Sequence, residues 1–98
     1  MNHMNETLDY EAIGQRIRKH RKMNNLSQEE LSEKIGISPT HMSHIETGGT
    51  KLSLPVLVEI AKVLNVTTDA LLFPEKSAAD FSRTIRLLEM AIESLKIQ

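Results

Sequence analysis

The sequence predicts an all-α fold, and three observations predict it. Ser27, Ser38, Ser53, Thr67 and Ser77 each stand just before a run whose apolar residues recur at three- and four-residue intervals. Asn24-Asn25, Gly36, Gly48-Gly49 and Phe73-Pro74 break the chain between those runs. The C-terminal stretch then carries Phe81, Ile85, Leu88, Ile92 and Leu95, spaced four, three, four and three, which is a heptad-like stripe.

Ser27-Gln28-Glu29-Glu30 fits a capping box, in which Ser27 accepts from the Glu30 amide and the Glu30 side chain reaches back to the Ser27 amide. Leu31 and Ile35 follow on one face, and Gly36 supplies a residue for the turn. Ser38 is a good N-cap, and Pro39 suits the first helical position because it has no N–H to leave unpaired. On this second helix Met42 and Ile45 face inward, whereas Thr40, His41, Ser43, His44 and Thr47 point elsewhere. Two helices joined by a few residues including a glycine form a helix-turn-helix arrangement, whose second helix can lie in the DNA major groove.

SQEELSEKIGIS followed by HIETGG resembles the helix-turn-helix domain of the phage repressor and Cro-like, or XRE, family of bacterial regulators. The resemblance runs from Ile13-Gly14-Gln15-Arg16-Ile17-Arg18 through Leu54-Pro55-Val56-Leu57 to Asn65-Val66-Thr67-Thr68-Asp69-Ala70-Leu71-Leu72. It implies a five-helix repressor-like domain that binds double-stranded DNA. The expected organisation is a disordered segment over 1–8, the DNA-binding domain over 9–73, and a short hinge with a C-terminal amphipathic helix over 74–98.

Composition fits this reading. At 98 residues, one small domain with an appendage is expected, and a core of that size is only marginally self-sufficient. With 40% hydrophobic and 26% charged residues the chain is too apolar for a disordered one. No apolar run reaches membrane-spanning length and no signal peptide is evident, so a cytoplasmic protein is expected. There is no cysteine, which excludes disulfides and thiolate metal sites, and the four histidines alone make no structural zinc site. The net charge of -1 gives little nonspecific pull on phosphate. Its distribution matters more: Arg16, Arg18, Lys19, Arg21, Lys22, Lys34 and Lys51 outweigh Glu29, Glu30, Glu33 and Glu46 between Gly14 and Lys51.

The first helix is expected from about Asp9 to Met23, with Ile13, Ile17 and His20 along one face. Its basic run reads as an ordinary solvated face or as a phosphate-facing one. Gly14 costs a helix about 1 kcal/mol relative to alanine, which suggests close packing of another helix there. By the resemblance, Arg21 pairs with Glu46 and holds the first helix against the recognition helix. Ser53-Leu54-Pro55 opens a further helix with Leu54, Leu57, Val58, Ala61 and Leu64 as core positions. Thr67 caps a short helix with Leu71 and Leu72 inward.

By the family's motif, Pro39, Thr40, Ser43 and His44 correspond to base-reading positions, with Ser38 and His41 at the margin. Thr40 can set its methyl on a thymine methyl, and His44 can donate to guanine N7 or O6. Ser27 and Gln28 open a helix whose free amides attract phosphate, and Thr47 and Lys51 are the matching groups beyond the recognition helix. The chain departs from many relatives at Pro39, where a polar reader is lost, at Gly49, which is often basic, and at His20, which is expected to pack half-buried.

The function expected is a sequence-specific transcriptional regulator, a dimeric repressor reading an inverted repeat, with Phe81, Ile85, Leu88, Ile92 and Leu95 as the dimerisation stripe. The alternative is an antitoxin or adaptor that holds a protein partner on the C-terminal helix; that helix can also fold back on its own domain. No cofactor or metal is expected, and no nucleophile–base pair or phosphate loop suggests an enzyme.

Overall fold

A computed structural model describes residues 8–75 and 78–97, with the side chains of 78–81 and 97 excepted. The segment through Thr7, the Ser77 cap and the side chain of Phe81 therefore lie outside the described residues. The fold is all-helical: α1 Tyr10–Met23, α2 Gln28–Ile35, α3 Pro39–Thr47, α4 Leu54–Leu64, α5 Thr68–Leu72 and α6 Ala78–Ile97.

Local chemistry starts each of the first five helices. Asp9, Ser27, Ser38, Ser53 and Thr67 sit in extended backbone, and each side chain accepts from the amide three residues on. The Ser27–Glu30 box is complete, with the Ser27 amide donating to Glu30 Oε1 at 2.9 Å and the Glu30 amide to Ser27 Oγ at 3.0 Å. Gly36, at φ 78°, closes α2 in the left-handed region, where its amide donates to Ser32 O.

Helices α1 to α5 share one core of Ile13, Ile17, Leu31, Met42, Ile45, Leu57, Ile60, Ala61, Leu64 and Leu71. Helix α1 packs on α3, α4 and α5, and α2 packs on α3 and α4. Gly14 is where α1 meets the end of α3: a Cβ there would lie 2.5 Å from the Glu46 carbonyl oxygen and closer still to that of Ile45. Gly48 makes the reciprocal approach at the α3 terminus, since a Cβ on it would lie 2.6 Å from Glu11 Cα.

The expected α4 core needs two corrections. Leu54 is 70% exposed, and Ile60, absent from the expected set, is fully buried. The inward stripe is Leu57, Ile60, Ala61 and Leu64. Leu54 continues it toward the helix start, but there it outruns the packed elements and reaches only the rim of an open apolar hollow lined by Leu8, Tyr10, Leu52 and Leu72. Val58 and Leu72 are half-buried.

Helix α6 does not join this core. Every side chain from Ser82 to Lys96 is exposed. The radius of gyration of 17.0 Å and the extents of 55 × 39 × 22 Å reflect that; a compact chain of ~100 residues has about 13 Å. No described helix is long and apolar enough to cross a membrane.

Candidate nucleic-acid interface

Helix α3 divides into two faces. Met42, Ile45 and Glu46 are buried against α1 and α2, whereas Pro39, Thr40, His44 and Thr47 are exposed, and His41 and Ser43 are half-buried. Ser38 Oγ is committed to the His41 amide at 3.0 Å. Thr47 donates its hydroxyl back to the Ser43 and His44 carbonyls at 3.1 and 3.3 Å, leaving its lone pairs outward. The solvent side of α3 is thus a short row of hydroxyls, imidazoles and one proline ring. Such groups suit base edges and thymine methyls.

A buried ion pair fixes that helix on α1. Arg21 Nε donates to Glu46 Oε2 at 2.7 Å and Nη2 donates to Oε1 at 3.0 Å, a fork-to-fork arrangement between residues only 7% and 4% exposed. The remaining guanidinium nitrogen, Nη1, donates to the Leu26 carbonyl at 2.8 Å and so pins the loop that leads into α2. Gln28 Nε2 donates to Glu46 Oε1 at 2.9 Å. One carboxylate therefore joins α1, α2 and α3, and no buried polar side-chain atom among the described residues lacks a partner. A buried charge is tolerable on that condition.

Gln28 consequently has two sides. Its amide group is held by Glu46, while its backbone N–H opens α2 beside the exposed Ser27. Lys51 is exposed beyond the end of α3. The basic run on α1 is partly engaged inside the protein: Arg16 donates to the Leu72 and Leu71 carbonyls at 3.0 and 3.4 Å, where it caps the end of α5, and Lys19 pairs with Glu75 at 2.7 Å. Arg18 and Lys22 are exposed, and His20 is half-buried.

None of the contacts Gln28–Glu46, Arg16–α5 or Asn24 Nδ2 to the Leu64 carbonyl was expected from sequence. They join residues 18, 56 and 40 positions apart, and no local spacing marks them. Two exposed carboxyls have pKa values below the ordinary range. Glu30 is lowered chiefly by the Ser27 amide that donates to it, and Glu75 by its bond from Lys19. Among the described residues no cluster of three or more His, Asp or Glu is placed to hold a metal ion.

A family model described as helix-turn-helix matches residues 17–71, more than half of the chain and the whole of the α2–α3 unit. The chain belongs to the XRE-type helix-turn-helix family. It is 36% identical over 69 residues to the uncharacterised HTH-type transcriptional regulator YazB of Bacillus subtilis, covering 70% of this chain and 100% of that one. The restriction-modification controller protein C.AhdI from Aeromonas hydrophila superposes with a TM-score of 0.62 at 30% identity, over 64% of this chain and 96% of that one. The biofilm master regulator SinR, solved in complex with DNA, gives a TM-score of 0.57 at 38% identity, over 60% of this chain and 95% of that chain. This XRE-type chain is a DNA-binding transcriptional regulator.

Proposed function

We propose that this regulator is a dimeric repressor that reads an inverted repeat through the major groove. In this reading Pro39, Thr40, Ser43 and His44 meet base edges, and Ser27, Gln28, Ser38, His41, Thr47 and Lys51 meet or border phosphates. The observation that carries it is the division of α3, with its buried side fixed by the Arg21–Glu46 pair and its outer side made of short polar groups. The likeness to SinR, solved on DNA, supports the placement of α3.

Two features support dimerisation. A single short recognition helix spans only a few base pairs, and helix-turn-helix dimers read half-sites about one helical turn, ~34 Å, apart. Helix α6 carries Ile85, Leu88, Ile92 and Leu95 in exposed positions on one stripe, an apolar surface suited to a second copy. The stripe is the proposed dimer contact, and the domain division expected from sequence goes with it.

The test is selection of bound duplexes from a randomised DNA pool at near-physiological salt, followed by sequencing. An enriched inverted repeat is expected. Enrichment of a single half-site would overturn the dimer, and no enrichment by folded protein would overturn sequence-specific reading and turn attention to a protein partner on α6.

A further inference from the structure

Ile85 and Ile92 occupy one edge of the α6 stripe and Leu88 and Leu95 the other, alternating three and four apart over the helix Ala78–Ile97. In heptad terms the isoleucines are at a and the leucines at d. All four are exposed, between 40% and 71%. In a parallel assembly, β-branched residues at a with leucine at d favour two strands over three or four.

The flanks of the seam carry the second, independent signal. Ser82, Glu89 and Lys96 lie on one flank, at e, and Thr84 and Ala91 on the other, at g. In a parallel pair e faces g, so Glu89 of one copy meets Thr84 of the other, and Lys96 meets Ala91. No like charges oppose. In an antiparallel pair e faces e, and the register that sets Ile85 opposite Leu95 and Leu88 opposite Ile92 also sets Glu89 opposite Glu89. Like charges at such a seam are unfavourable.

We propose that α6 pairs in parallel, in register, with α6 of a second copy. This rests on the dimer reading above and specifies its geometry. The two-fold axis then runs along α6, the two α6 N-termini lie side by side, and both DNA-binding units hang from the same end of the pair. Helix α5 ends at Leu72 and α6 begins at Ala78, so the two lie close together in the chain. A palindromic site presents its half-sites to such an arrangement with matching symmetry.

The experiment uses the full chain, which has no cysteine, so a single introduced thiol is unambiguous. Leu95→Cys and Ile85→Cys are each made, checked for helicity by circular dichroism, oxidised alone and as an equal mixture, and run on non-reducing gels. Parallel pairing gives a disulfide-linked dimer from each variant alone, and mixing the two adds no further dimer. Across an antiparallel pair, the thiols of two Leu95→Cys chains would lie ~15 Å apart along the helix axis, since each residue rises ~1.5 Å. That is far beyond the ~7 Å Cα limit for a disulfide. Links only between an Ile85→Cys chain and a Leu95→Cys chain, or scrambled links, would therefore overturn parallel pairing while leaving the dimer. Sedimentation of the unsubstituted chain separates the two ideas: a two-chain mass supports the dimer, whose orientation the thiol links then decide, a three-chain mass overturns two-stranded pairing, and a monomer at high micromolar concentration overturns the dimer itself.

Discussion

Glu46→Ala is the substitution with the largest consequence the structure defines. It removes the acceptor of both Arg21 bonds, at 2.7 and 3.0 Å, and of the Gln28 bond at 2.9 Å, leaving a guanidinium that is 7% exposed with only the Leu26 carbonyl. Removing one partner of a buried pair costs about 3–5 kcal/mol, because the other charge stays desolvated and unpaired. Small domains are stable by only about 5–15 kcal/mol in total. At about 4–8 °C per kcal/mol for a domain of this size, the melting temperature should fall by at least ~12 °C. Urea unfolding followed by far-UV circular dichroism is the assay, since the chain has no tryptophan. The control is Arg21→Met with Glu46→Leu, which removes both charges and leaves neither stranded; it should recover most of the loss. A Glu46→Ala cost below ~1 kcal/mol, or a double variant no more stable than Glu46→Ala, would refute the argument that the unpaired charge sets the penalty.

Other perturbations act on single links of the chain from sequence to function. His44→Ala should weaken operator binding by about 1–3 kcal/mol and relax preference at one base position; unchanged preference in a repeat of the duplex selection would remove His44 from the reading set. Gly14→Ala places a methyl against the Ile45 and Glu46 carbonyls, so despite the helix-propensity gain of ~1 kcal/mol it should be net destabilising, which thermal melting would register as a lower midpoint. Glu30 has its pKa lowered in the folded chain from an ordinary 4.5, so its contribution is present above that value and is lost as pH falls through the folded pKa. Glu30→Gln keeps a side-chain acceptor for the Ser27 amide without a titration, so the acid limb of a melting-temperature profile should flatten; an unchanged limb would count against the carboxylate.

Much of the fold was legible because its signals are local. A capping serine acts on an amide three residues away, and Gly36 takes its left-handed turn beside the helix it closes, so Ser27, Ser38, Ser53 and Thr67 mark starts without reference to the rest of the chain. The two faces of α3 were likewise legible, because Met42 and Ile45 are the apolar residues of an otherwise polar helix. Leu54 and Ile60 were not. Both fit an apolar stripe, and which of them is buried depends on where the neighbouring helices end, which periodicity cannot encode.

Residue order alone marked where each of the first five helices begins, which groups α3 offers outward, and the family to which the chain belongs. That Gln28 is held by Glu46, that Arg16 closes α5 and that α6 stands clear of the core emerged only with the packing of the helices. The difference is physical. Caps and turns are fixed by groups within a few residues of each other, whereas these contacts depend on how whole helices settle against one another, and that is set by the summed burial of Ile13, Ile17, Leu31, Met42, Ile60 and Leu71 rather than by any neighbouring residue.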